Sequence, residues 1–374
     1  MRGGKDAENE DGGFVMRRNA DELRAAWMEL RASEKGLHGL ELADRLGVSE
    51  CQLVSSASAP GRREPPMEAA GGNVVATRLA GDWKAVIAKL PALGRVKAVT
   101  RNRDAVIETE GTYGGIEFFG SIGQSVSSID LRIFSDRWRY GFAVRDESPR
   151  RRSTSLQFFD GTGQAVHKLF LRDESDHDAF ATLVREFTSP EQGMVTTFDA
   201  ADPAPVQKPD HEIDAKGLRA AWRALTDTHH FFGLLRKFGV TRTQAFRLAG
   251  SELAYQVAPS SLNEVLRTAA SDELRIMVFV GNPGIIQIYS GRIEKVAPLG
   301  NWLNVLDPEF NLHVREDRIA NAWVVRKPTA DGVVTSLELY TDEGEQIALV
   351  VGKRHTGEPE NEDWRRTVSS LPRS

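Results

Sequence analysis

The chain contains one cysteine, Cys51. That excludes an intrachain disulfide framework and any cysteine-rich zinc or iron–sulfur site. No stretch approaches the ~20 consecutive apolar residues that span a bilayer as a helix. Positive charge is not in excess: 48 Lys and Arg stand against 53 Asp and Glu, a net charge of −5, which argues against a general nucleic-acid binder. Met1 to Asn19 is charged and glycine-rich and lacks the apolar centre of a secretory signal. H-x-x-x-H, H-E-x-x-H and G-x-S-x-G are missing, and Gly281-Asn-Pro-Gly284 is a turn, not a phosphate loop. These absences lead us to expect a cytoplasmic, reducing setting.

What remains is an ordinary globular composition, 40% hydrophobic and 27% charged over 374 residues, long enough for two or three domains. Residues 1–18 read as a flexible leader. Helical spacing begins near Ala20, with Leu23, Ala26, Trp27 and Leu30 on one face and Asp21 as the expected N-cap. A second helix is expected over Gly39 to Leu46, stopping at Gly47, and Ser49 is placed to cap a third. Residues 55–73 read as a surface loop. From Arg95 the pattern alternates. Strands are expected over Ser128 to Val144 and Thr154 to Leu171, with Asp160-Gly161 as a hairpin turn. Asp176 to Thr188 returns to helical spacing. Residues 189–214, with Pro190, Pro203, Pro205 and Pro209, read as a linker.

Beyond the linker the first pattern recurs. Leu218-Arg-Ala-Ala-Trp222 restates Leu23-Arg-Ala-Ala-Trp27. At a shift of 180, Arg95, Asn102, Gly111 and Gly120 fall on Arg275, Asn282, Gly291 and Gly300. At a shift of 181, residues 130–163 share nine identities in 34 ungapped positions with residues 311–344. Chance supplies about two, so the chain is an internal duplication. The first repeat is expected over 19–188 and the second over 215–374. Each reads helices, then hairpin-linked strands, then a helix, which predicts an α+β fold with a large, mainly antiparallel sheet in each half.

Two related halves allow a comparison inside one chain. Residues the fold requires should recur, as Arg137/Arg318 and Arg145/Arg326 do. Thr226-Asp-Thr-His-His-Phe-Phe-Gly-Leu-Leu does not recur. At a shift of 195 His229 faces Glu34, at 192 Arg242 faces Glu50, and at 181 His313 faces Arg132. The unmatched residues are thus histidine, arginine and aromatic types. They suit a planar, anionic, metal-containing ligand: imidazole binds haem iron, Phe231 and Phe232 pack a macrocycle, and arginines hold carboxylates. An ordinary helix with one buried and one exposed histidine accounts for the same segment. His211 and His355 are expected in solvent, His313 on a strand, and Cys51 in the core. The run Arg145, Arg150, Arg151 and Arg152 reads as a solvated loop.

At Trp222-Arg-Ala-Leu-Thr-Asp-Thr-His-His-Phe-Phe-Gly-Leu-Leu the chain resembles the bacterial cytoplasmic haem-handling proteins, the hemin-transport or hemin-degrading factors. Ile276-Met-Val-Phe-Val-Gly-Asn, Gly300-Asn-Trp-Leu-Asn, the block from Arg326 to Leu339, Asp130-Leu-Arg-Ile-Phe and Ser155-Leu-Gln-Phe-Phe-Asp extend the resemblance over nearly everything after residue 20. The resemblance implies haem b as ligand or substrate and His229 as proximal iron ligand. It implies Arg132 on the distal face with Phe134 beside it, and Arg242, Lys327 and Arg354 as propionate holders. Phe231 would pack the macrocycle. Two departures stand out: Leu349 and Val351 occupy positions where the family often has Gln and Tyr, and His230 directly follows His229. Three functions compete. The first is a haem carrier that passes imported haem to an oxygenase or other acceptor, with the cytoplasmic side of a haem ABC importer as a further partner. The second is an enzyme that opens the porphyrin with reductant and oxygen, and the third is a haem-free interaction or regulatory module. With Glu34 opposite His229, no matching haem site is expected in the first repeat.

Overall fold

The computed structural model describes residues 18–34, 36–59, 74–148, 151–203, 206–355 and 357–374. The leader up to residue 17, residues 60–73 of the expected loop, Arg150 and the side chain of Arg151 lie outside the described part, as do Ala204 and Pro205.

The first half contains α1 (Ala20–Ser33), α2 (Gly39–Leu46), α3 (Glu50–Ser55), β1 (Val74–Leu79), α4 (Trp83–Ala88), β2 (Gly94–Arg101), β3 (Ala105–Gly111), β4 (Ile116–Phe119), β5 (Ile122–Ser125), β6 (Asp130–Phe134), β7 (Tyr140–Ser148), β8 (Arg151–Phe159), β9 (Ala165–Ser175) and α5 (His177–Phe187). The second repeats it: α6 (Ala215–Arg223), α7 (His230–Phe238), α8 (Arg242–Ala249), β10 (Ala254–Val257), α9 (Ser261–Ser271), β11 (Ile276–Asn282), β12 (Ile285–Gly291), β13 (Val296–Leu299), β14 (Trp302–Leu306), β15 (Phe310–Arg315), β16 (Asn321–Thr329), β17 (Gly332–Tyr340), β18 (Gln346–Gly352) and α10 (Glu362–Ser369). The duplication therefore holds element for element.

Local chemistry explains the boundaries. Asn19, not Asp21, caps α1: its Oδ1 accepts from the backbone N–H groups of Asp21 and Glu22, while Glu22 returns a bond to Asn19 N–H. This is a capping box, and Asp21 sits in the first turn where the helix dipole favours its charge. Gly47 ends α2 with a φ of 68°, a conformation glycine adopts without a Cβ penalty. Ser49 caps α3 through the N–H of Gln52. Asp160 holds the β8–β9 turn by accepting from Thr162 N–H and Gln164 N–H. The strand expected over Ser128 to Val144 is two strands, because a 3-10 turn at Ser135–Arg137 interrupts it.

Two nine-stranded sheets result, and each borrows from the other half. The first runs β1-β7-β8-β9-β2-β3-β15-β14-β13 and the second β10-β16-β17-β18-β11-β12-β6-β5-β4. Every neighbouring pair is antiparallel, with the joints where β3 meets β15 and β12 meets β6. The meander β4–β6 thus completes the second half's sheet, and β13–β15 completes the first's. One core cluster reflects the exchange, with Ala105 and Ile107 of β3 packing together with Val278, Leu312 and Trp364.

In the second sheet, one face carries Val278, Leu337, Leu339 and Val350 against Val265, Leu266, Trp364 and Val368 of α9 and α10. Helices α6–α8 cover part of the opposite face through Trp222, Phe231, Phe246, Trp323 and Tyr340. Leu349, Phe279 and Ile286, further along that face, are only half-buried.

Candidate functional site

The turn before α7 places His229. Its backbone N–H donates to Asp227 Oδ1 at 2.8 Å, and its ring Nδ1 lies 2.7 Å from the same oxygen. A carboxylate only accepts, so Nδ1 carries a proton, and in the neutral ring Nε2 is then the nitrogen left to ligate metal. The His229 side chain is 84% exposed. The His229 backbone N–H, and then its ring, hold the Asp227 carboxyl below its ordinary range. His230, at the first helical position, is also exposed.

Behind His229 the helix turns inward. Phe231 is 2% exposed and packs edge-on against Trp222, with ring centres 4.6 Å apart. It belongs to the helical core, whereas Phe232 is 64% exposed. Two cations lie over the Phe231 ring: the Arg242 guanidinium at 5.3 Å and the Lys327 ammonium at 4.9 Å. Both reach Glu338, which is fully buried. Lys327 Nζ donates to Glu338 Oε1 at 2.5 Å, and Arg242 Nη2 donates to Oε2 at 2.8 Å. Tyr340 donates its hydroxyl to Oε2 at 2.7 Å, and Ser336 donates to Oε1 at 2.9 Å. Although burial opposes ionisation, Arg242 and Lys327 keep the Glu338 carboxyl well below the usual carboxylate range. Burial lowers Lys327, and Glu338 opposes that shift.

Arg132 reaches this sheet through the strand exchange. Facing residues of an antiparallel pair share a face. Arg132 pairs with Ile286 and Asp130 with Ile288, while Ile288 faces Phe279, Phe279 faces Leu349, and Leu349 faces Glu338. Arg132, Asp130 and Phe134 therefore stand on the face that carries Glu338 and Lys327. Arg132 donates to Asp130 Oδ1 at 2.5 Å and is one-third exposed. Arg354, just past β18, lies 3.8 Å from Asp331 in the β16–β17 turn. That turn is tied to the His229 loop, since Ala330 N–H donates to Thr226 O. The six polar and aromatic residues other than Phe231 thus occur on one sheet face or on the helix and loops bordering it.

The other histidines separate. His211 and His355 are exposed. His313 lies on β15, half-buried, with Nδ1 2.7 Å from Asn304 Oδ1. Cys51 is buried. The linear register sets Glu34 against His229, but the helices align differently. The segment from Trp27 to Gly47 is three residues longer than that from Trp222 to Gly239. Counting back from Gly47 and Gly239 therefore sets Leu37 against His229 and His38, the N-cap of α2, against His230 at the first position of α7.

Two residues escaped the sequence reading. Asp227 could have been found, since an acid two residues before a histidine is placed to set its tautomer. Glu338 gave no local signal, because its alternation fits a solvent-facing strand position and only the packing of α8 buries it.

The comparisons with known proteins follow this geometry. A family model described as the haemin-degrading HemS.ChuX domain matches residues 62–187 and 239–371, once in each half. The hemin transport protein HemS of Yersinia enterocolitica is 38% identical over 349 residues, covering 92% of this chain and 96% of that protein. The crystal structure of holo-PhuS, a heme-binding protein of Pseudomonas aeruginosa, superposes with a TM-score of 0.88 at 41% identity, covering 96% of this chain and all of that one. The heme degrading enzyme ChuS of Escherichia coli O157:H7 gives a TM-score of 0.84 at 36% identity, covering 94% and 99%. The chain belongs to the haemin-degrading HemS/ChuX family, as an internally duplicated member.

Proposed function

We propose that this protein binds one haem b through His229 Nε2 and carries it in the cytoplasm from import to an acceptor such as a haem oxygenase. The observation that carries this reading is the His229–Asp227 pair. It holds Nδ1 of an exposed imidazole and leaves Nε2 for a ligand, on the border of a sheet face that bears Arg132 and Lys327 and against which α8 sets Arg242. Haem supplies the iron and two carboxylates. His229 Nε2 would donate to the iron, Arg242, Lys327 and Arg354 would take propionates, and Arg132 with Phe134 would stand on the distal side. The donor set fits: one exposed nitrogen ligand, with cations in reach of the same face. A carrier needs a ligand that can leave, and a surface histidine at a helix terminus suits release better than an enclosed one. Opening the porphyrin with reductant and oxygen is the second reading, supported by the similarity to ChuS and by the placement of Arg132.

The test is a hemin titration of the wild type, His229→Ala and His230→Ala, followed by absorbance. A saturable one-to-one Soret band in the wild type, kept by His230→Ala and lost or blue-shifted in His229→Ala, is expected. An unchanged spectrum in His229→Ala would remove the ligand assignment. Loss of the Soret band with ascorbate and oxygen, persisting when catalase removes peroxide, would favour the degrading enzyme over the carrier.

A further inference from the structure

Arg242 and Lys327, the two cations assigned to propionates, do not wait free for a ligand. Both are already paired with one carboxylate, and neither of its oxygens touches solvent. Glu338 collects Lys327 and Ser336 on Oε1, and Arg242 and Tyr340 on Oε2. Gln346 adds a 3.3 Å bond to Oε2. Two positive charges and one negative leave a single net positive charge in this cluster. Donors remain: Lys327 uses one of its three N–H groups on Glu338, and among the described residues Arg242 bonds through Nε and Nη2.

The first half shows that the fold does not demand this arrangement. There Gln157 occupies the position of Glu338, Asp146 that of Lys327, and Glu50 that of Arg242. Glu50 pairs with Arg101 and Lys168, so a helix-to-sheet ion pair recurs with its sign reversed. Each half thus sets one buried carboxylate between two cations, but only in the half that bears His229 does the sheet supply both the carboxylate and a lysine, with the second cation on the helix.

Resting on the haem reading above, we infer that Glu338 is a positioning residue: it keeps Lys327 charged, aims both Lys327 and Arg242 before a ligand binds, and limits the cradle to one ligand carboxylate. Without it, two adjacent cations would share an interior, and the Lys327 ammonium would give up its proton more readily. The groups facing Lys327 are few. Around Lys327 and the carboxylate it bonds stand Arg242 from α8, Ser336, Glu338 and Tyr340 from β17, the neutral Phe231 ring from α7, and uncharged Gln346 on β18. Of these Glu338 is the one anion, and the Phe231 ring adds only the weaker cation–π attraction. Removing it lowers the pH at which Lys327 becomes neutral, and propionate binding through Lys327 is then lost as pH rises.

The experiment is a hemin titration of the wild type and Glu338→Gln from pH 7 to 9, repeated with hemin dimethyl ester, which has no free carboxylate. The ratio of variant to wild-type affinity for hemin is expected to fall with rising pH, on the order of tenfold, the scale of one charged hydrogen bond. The ratio for the ester should stay flat. If both probes change equally at every pH, Glu338 only docks α8 and the inference is overturned. Thermal unfolding checks that Glu338→Gln folds. If it does not, Lys327→Gln replaces it: a hemin loss that the ester does not share supports the cradle, and an equal loss for both overturns it. A wild type that shows no saturable Soret band would instead remove the haem reading itself.

Discussion

Asn102 and Asn282, 180 residues apart in the chain, fasten the two halves reciprocally. Asn102 Nδ2 donates to the carbonyls of Gly281 and Ile347 in the second half. Asn282 Nδ2 donates to those of Arg101 and Val166 in the first. Each side-chain oxygen accepts from backbone N–H groups of its own turn. Such partners leave buried carbonyls unsatisfied when removed. Asn102→Ala and Asn282→Ala should each destabilise by about 1–3 kcal/mol. Urea melts should show nearly equal losses, and a strong inequality would contradict the equivalence of the two joints.

Asp227 should matter to the ligand although it does not touch it. Replacing it with Ala frees the His229 ring to rotate and to protonate Nε2. Hemin affinity should fall about 10–100-fold, as for other residues that orient a metal-bound histidine. Titration by absorbance measures this, and affinity within twofold of the wild type would dissociate Asp227 from ligation.

His167 is a buried histidine with a different role. It lies between Thr100 Oγ1 and Tyr113 OH, each 2.8 Å from a ring nitrogen. Burial pushes its pKa down to about 3 from 6.5. A histidine held neutral in the fold contributes stability above its unfolded pKa, and that contribution is lost as pH falls from 6.5 toward 3. His167→Phe should flatten the decline in stability between pH 6.5 and 5. Denaturant melts at those two pH values provide the measurement, and identical slopes in both proteins would place the acid sensitivity elsewhere.

Below that window a carboxylate takes over. Arg101 and Lys168 hold Glu50 at about 2 despite its burial. A depressed carboxyl contributes stability above 4.5 and loses it as pH falls toward 2. Glu50→Ala strands two cations against the core and should cost about 3–5 kcal/mol at pH 7. A loss under 1 kcal/mol in urea melts would mean that water reaches the pair.

Much of this was legible in the residues. Nine identities at one fixed shift exposed the duplication, and Gly47, Ser49 and Asp160 marked ends and turns through their own backbone chemistry. Asn19 displaced Asp21 as a cap because Glu22 completes a reciprocal pair with it. The strand exchange was not legible. The alternation of Asp130-Leu-Arg-Ile-Phe134 is the same whichever sheet receives it, and its buried Leu131 and Ile133 fit either core. The burial of Glu338 was hidden for a related reason: sequence gives a strand its two faces, but tertiary packing decides which one a helix covers.

The exchange of β4–β6 for β13–β15 also bears on symmetry. A single half has a sheet that lacks its last three strands and a meander with nothing to join. Two copies would satisfy each other, so an unfused half of this design would need a two-fold dimer. A homodimer must write every residue twice. It cannot place a histidine and an arginine around one pocket without placing them around the other. A single chain carries no such constraint: Arg132, encoded in one half, stands on a sheet face of the other, while the matching position in the second half holds His313.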